Sequence, residues 1–131
     1  MSEIPSDLYY TSDHEWVRRT GEDTVRVGIT DYAQSALGDV VYIDLPSVGT
    51  DVAAGSEFGT VQSPKSESEL YAPITAKVIA VNEDLVDAPE QVNAEPYGAG
   101  WLIDLQVDAA SLAEALDGLL DADGYRATLD E

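Results

Sequence analysis

Short period-two runs, each cut off by turn residues, fill most of the first hundred positions and confine this chain to short, half-buried strands. Val25, Val27 and Ile29 alternate with Arg26 and Gly28, and Val41, Ile43 and Leu45 interleave with Tyr42 and Asp44. Val78-Ile79-Ala80-Val81 and Trp101-Leu102-Ile103-Asp104-Leu105 read as further strands, the second with Trp101, Ile103 and Leu105 on one face. Turn chemistry separates the runs at Pro46-Ser47-Val48-Gly49, Ala54-Gly55-Ser56, Ser63-Pro64-Lys65-Ser66 and Tyr97-Gly98-Ala99-Gly100. Many short strands with frequent turns predict a small sandwich or barrel, mainly β with short helices.

Helical signals are few. Thr30 is placed to cap a short helix over Asp31 to Leu37, closed by Gly38. Asp108 is placed to cap a second, with Leu112, Leu116 and Leu119 or Leu120 at near-helical spacing, interrupted by Gly118. A third is expected from about Ala122 to Leu129, and Pro89 and Pro96 limit any helix between them to one turn. These features predict one domain over residues 1–131, with a core over about 23–107 and C-terminal helices over about 108–131 that cover one end of the sheets.

Charge narrows the partners. The chain has 26 acidic residues against 6 basic ones, a formal charge of −20. Nucleic acid and anionic membrane surfaces both require Lys and Arg facing phosphate, so neither is an expected partner. No apolar run approaches the roughly 20 residues of a membrane span, and the start MSEIPSDLYY lacks the basic and apolar regions of a secretory signal, so a cytoplasmic location is expected. Leu, Ile, Val and Phe make up 32 of 131 residues. That is enough to fold despite the charge. Acids are dispersed along the chain and lysine occurs only at Lys65 and Lys77, a halophilic acidic pattern that predicts a salt-rich cytoplasm and looser folding at low salt.

Enzyme templates find no match. The chain has no cysteine and one histidine, His14, so thiol chemistry and a transition-metal centre are not expected. A lone histidine among acids, in Asp13-His14-Glu15-Trp16, reads as a surface or packing residue. The acids between Ser66 and Glu69 lack the spacing of a calcium loop, and no glycine-rich phosphate cradle opens a helix. What stands out is Lys65. It lies between Glu57-Phe58-Gly59-Thr60-Val61-Gln62 and Glu69-Leu70-Tyr71-Ala72-Pro73-Ile74, two segments readable as strands. Pro64 presets φ for the second position of a type I turn, which sets Lys65 third, at the tip of a hairpin and pointing into solvent. Lys77 falls inside a strand and has no comparable setting.

With these residues in view, the sequence resembles the H protein of the glycine cleavage system, a lipoyl carrier. The matching blocks run in order through Tyr10-Thr11, His14-Glu15-Trp16-Val17, Val27 to Gln34, Leu37 to Val41, Gly59 to Lys65 and Leu70 to Ile74. They continue through Val81-Asn82, Pro89-Glu90, Val92-Asn93, Pro96-Tyr97 and Gly100-Trp101-Leu102. Pro64 stands where the family more often has valine, Gln62 where it often has glutamate, and Ala76 in place of a usual turn glycine.

The resemblance implies a barrel-sandwich hybrid with lipoic acid joined as an amide to Lys65 by a lipoylating enzyme. It implies a non-catalytic carrier. The P protein (glycine decarboxylase) loads the arm with the aminomethyl group of glycine, the T protein (aminomethyltransferase) unloads it, and the L protein (dihydrolipoyl dehydrogenase) reoxidises it. By motif position it also implies a cleft for the loaded arm at Glu15 and Glu69, with Asp13 adjacent. Alternatives are a lipoyl-relay protein or an unmodified H-like scaffold outside glycine catabolism. A biotinyl carrier would have methionines beside the lysine, where Pro64 and Ser66 stand here. A 2-oxoacid dehydrogenase lipoyl domain would lack the His-Glu-Trp block.

Overall fold

The computed structural model describes residues 4–129. The first half contains β1 (Tyr9–Tyr10), β2 (Glu15–Arg19), β3 (Thr24–Ile29), α1 (Asp31–Leu37), β4 (Tyr42–Asp44), β5 (Asp51–Val52) and β6 (Glu57–Ser63). Next come β7 (Ser66–Tyr71), β8 (Ala76–Val81), α2 (Asp84–Asp87), α3 (Gln91–Ala94), β9 (Ile103–Gln106), α4 (Ala109–Asp117) and α5 (Ala122–Arg126). Two antiparallel sheets result, one of six strands in the order β1-β2-β3-β9-β8-β5 and one of three in the order β4-β6-β7. Neither closes on itself. The mainly β architecture with short helices is the one expected.

Alternation along β3 turns Val25, Val27 and Ile29 into a core shared with Ile103 and Leu105 of β9, Ile43 of β4, and Val61 and Leu70 of the smaller sheet. Helix α4 adds Leu112 and Leu116 to it. A second, aromatic cluster lies on the other side of β2, where Trp16 packs with Leu8, Tyr10, Ala122 and Tyr125. Gly28 lies opposite Trp16 in the β2–β3 register, and a Cβ there would come within 2.6 Å of the indole, so only glycine lets the ring lie flat on β3. Strand β2 is therefore covered on both faces, which is why Glu15, Trp16 and Val17 are all buried and show no alternation. The six-stranded sheet thus starts at β1, before the core boundary expected near residue 23.

The local expectations mostly hold. Helix α1 starts at Thr30, whose side chain accepts from Ala33 N, and stops at Gly38, where φ is +83°. Helix α4 starts at Asp108, which accepts from Ala110 N. It ends at Asp117, one residue before Gly118, so Leu119 and Leu120 lie outside it; Leu120 instead bridges to Tyr10. Helix α5 stops at Arg126 rather than near Leu129. Trp101 lies before β9 and joins the aromatic cluster rather than the core face of Ile103 and Leu105. Helices α4 and α5 therefore serve different cores, α4 the main one and α5 the aromatic one.

Candidate functional site

Strands β6 and β7 pair from Glu57↔Tyr71 to Ser63↔Ser66, which leaves a two-residue loop of Pro64 and Lys65. Two-residue hairpins usually adopt primed turns with positive φ. Among the described non-glycine residues only His14 has one, so the Pro64–Lys65 turn is unprimed, as the proline demands. Lys65 is exposed at the tip. Its side chain does not point straight into solvent, because its Cε would lie 3.2 Å from a Cβ built on Gly38. The aliphatic stem thus crosses the end of α1. Gly38 is required there for its positive φ; a Cβ would also press on the lysine stem, which is flexible enough to yield.

Asn93 of α3 holds this helix end in place. Its Nδ2 donates to Gly38 O at 2.8 Å and to Gln34 Oε1 at 3.0 Å, while its Oδ1 accepts from Val40 N at 2.8 Å. Every arginine is engaged: Arg18 donates to Tyr97 O, Arg19 to Gly21 O, Arg26 to both Asp104 oxygens and Arg126 to Asp123. Among the described residues Lys65 and Lys77 have no such partner. Lys77 sits within β8, opposite Asp51 and Gln106.

Beside the hairpin lies a cleft of about 280 Å³ between α1 and β7. Tyr32, Ala33, Ala36 and Leu37 form one wall, residues 66–70 the other, and Asp13 and His14 one end. Lys65 stands at its edge, since Ser66 and Leu37, the neighbours of Lys65 and Gly38, both line it. The rim is negative. Asp13, Glu67 and Glu69 all line the cleft, and just outside it the Tyr71 phenol is raised above its ordinary range, by Glu69 first and then by burial, Glu57 and Asp13.

Of the acids expected together, Asp13 and Glu69 line the cleft, but Glu15 does not. Glu15 shares the core-facing side of β2 with Val17 and is only 1 % exposed. Its Oε2 accepts from Tyr71 N at 2.8 Å, linking β2 to β7 across the two sheets, and its Oε1 has no partner. Burial pushes this carboxyl up to about 8, opposed by the Tyr71 N–H and reinforced by Asp13. Burial thus favours its protonated form relative to an exposed carboxyl.

His14, read from sequence as a surface or packing residue, belongs to the cleft. It ends the tight connection between β1 and β2 with φ +66°, where Thr11 N donates to Glu15 O and Thr30 N to His14 O. Its ring lies 4.9 Å from that of Tyr32, and its Nδ1 is 2.8 Å from the Tyr125 hydroxyl. Burial lowers its proton affinity against the opposing pull of Asp13. Asn93 and Tyr125 were not singled out either. The sequence signal available for Asn93 was a polar residue in a one-turn helix between two prolines; for Tyr125, an aromatic facing inward from the last helix.

The family model described as "Glycine cleavage H-protein" matches residues 8–131. The chain belongs to the glycine cleavage H-protein family. It is 71 % identical to a glycine cleavage system H protein of Mycolicibacterium smegmatis, over the whole of both chains. It is 65 % identical to one of Mycobacterium bovis, again over the whole of both chains. The crystal structure of an H protein from Mycobacterium marinum superimposes with a TM-score of 0.84 at 43 % identity, covering 95 % of this chain and 97 % of that one. The chain that carries the hairpin and cleft described above thus has the fold of an H protein.

Proposed function

We propose that Lys65 of this H-protein family member is the attachment point of lipoic acid and that the chain is a non-catalytic, cytoplasmic carrier of the glycine cleavage system. The observation that carries this reading is the unpartnered Lys65 amine on a two-residue hairpin at the edge of an acid-rimmed cleft. An amine held in an ion pair must be freed before it can be acylated; this one is not. When bound as an amide to Lys65, lipoic acid would supply the disulfide that takes up the aminomethyl group of glycine.

The chain's own residues set the tip and the cleft. Pro64 stiffens the turn, and Asn93 and Gly38 hold the surface on which the lysine stem rests. Asp13 and Glu69 offer carboxylates to a protonated amine. Glu15 is buried and outside the cleft, so its part is to tie β2 to β7 behind them. On this reading the P protein loads the carrier, the T protein unloads it, the L protein reoxidises it, and a lipoylating enzyme modifies it first. The lipoyl-relay and scaffold alternatives have no particular observation in their favour. The dispersed acids support a salt-rich cytoplasm as a separate proposal.

Intact mass and peptide mapping of protein from native cells test this. One lipoyl mass on Lys65 and none on Lys77 is the expected result, and Lys65→Arg abolishes it. An unmodified Lys65 in cells that lipoylate other proteins overturns the carrier reading. In the loaded carrier, Glu69→Gln shortens the lifetime of the aminomethyl form; an unchanged lifetime removes Glu69 from the cleft's function.

A further inference from the structure

The C-terminal helix reaches the cleft through one hydroxyl. Tyr125 of α5 is fully buried, and its ring stacks on Tyr10 with centroids 4.8 Å apart. Its Oη lies 2.7 Å from Thr30 Oγ1 and 2.8 Å from His14 Nδ1. Three groups thus share two contacts, and the proton inventory gives the chain a direction. Thr30 is 0 % exposed and its Oγ1 already accepts from Ala33 N at 3.2 Å. Its own proton therefore needs an acceptor, and the Tyr125 oxygen is the one in reach. With Thr30 donating to Tyr125, the phenol's proton goes to His14 Nδ1. The reverse direction would leave a buried threonine proton unpaired, at the desolvation cost of an unmade hydrogen bond.

An imidazole that accepts at Nδ1 carries its proton on Nε2 and is uncharged. Nε2 has no protein partner among the described residues, and the ring forms part of the cleft lining between Tyr32 and Tyr125. Protonated, His14 would be a cation at the end of the cleft and would compete for Asp13 and Glu69. Neutral, it leaves both to a cationic guest. We propose that Tyr125 is a positioning residue that fixes His14 as the neutral Nε2–H tautomer on the cleft wall and so reserves the cleft carboxylates for a cation. The cation's identity rests on the carrier reading above; the proton arrangement does not. The groups facing His14 are Asp13 on its own loop, Tyr32 and Thr30 beside and at the start of α1, Tyr125 of α5, Glu67 and Glu69 of β7 across the cleft, and Glu15 behind.

The chain's single histidine makes the test unambiguous. Long-range proton–nitrogen correlation spectra of the lipoyl-free full chain, followed across pH, report both tautomer and titration. In the wild type the expected result is an unprotonated Nδ1, a protonated Nε2 and a midpoint below the ordinary histidine value. Tyr125→Phe keeps the stacked ring and removes one hydrogen bond to the neutral imidazole. Its midpoint is expected to rise by about 0.4–1 pH unit, a roughly 2.5- to 10-fold gain in proton affinity. Thr30→Val frees the phenol to accept, so an Nδ1–H population appears. A wild-type imidazole protonated on Nδ1 overturns the proposal even if neither variant folds. A folded Tyr125→Phe with the wild-type midpoint and tautomer overturns it as well. Because the measurement uses unmodified protein, failure of lipoylation at Lys65 leaves its outcome unaffected.

Discussion

Glu15 shows how far one side chain's chemistry depends on which face of a strand carries it. In the sequence it is one acid among many, and only the resemblance to H proteins, by motif position, implied a cleft residue. Strand parity places it with Val17, facing the core, and burial then holds its proton. The consequence for stability has a definite sign. The folded carboxyl titrates near 8 and the unfolded one near 4.5, so between these values the native state binds the extra proton. Stability contributed at this site is greatest at low pH and falls as pH rises through the window, by up to about 1.4 kcal/mol per pH unit. His14, whose proton affinity is lowered, contributes the opposite slope, so the comparison must be made against a variant. Glu15→Gln removes the titration while keeping an oxygen for Tyr71 N. Urea unfolding at pH 5 and pH 8 is expected to show the variant gaining on the wild type as pH rises; parallel curves would mean that native Glu15 is ionised.

At the scale of elements, legibility followed local chemistry. Helix α1 was readable from end to end because its start is a threonine cap and its stop a glycine with positive φ, both signals carried by single residues. The hairpin was readable because a proline and flanking alternation fix it. Strand β2 was not, since the aromatic cluster covers the face that would otherwise be polar. Helix α2 has four residues, too few to display a period. The cleft was only partly legible: the resemblance implied Glu69 and Glu15 by motif position with Asp13 adjacent, of which Glu69 and Asp13 line it, whereas Asn93 and Tyr125 act across 53 and 95 residues of sequence, a separation no local pattern encodes. Asn93→Ala tests how firmly the helix end depends on that distant contact. It leaves Val40 N–H and Gly38 C=O without their partner, and a loss of about 1–3 kcal/mol is expected in chemical denaturation. Faster amide exchange at Val40 should accompany it. Unchanged exchange would mean that α1 supports the Lys65 platform without α3.

For the molecule as a whole, the charge of −20 is spread over a surface on which all the arginines are already engaged. Repulsion among the remaining carboxylates acts against the compact state, and salt screens it. The screening length shrinks from about 30 Å at 0.01 M to about 3 Å at 1 M. The melting temperature is therefore expected to climb steeply over that range in calorimetry. A flat profile would show that the acids are spaced too widely to repel, and would remove the ground for a salt-rich origin.

The aromatic cluster under α5 also equips the chain with an optical reporter. Both of its tryptophans, Trp16 and Trp101, sit there rather than in the main core. Arg18 lies over Trp16 and Arg26 over Trp101. Indole emission consequently tracks whether the C-terminal helix is seated, while far-ultraviolet dichroism tracks the sheets. If the last helix peels away first under mild denaturant, the fluorescence shifts red before the dichroism changes, and the two curves separate by the stability of that seam alone.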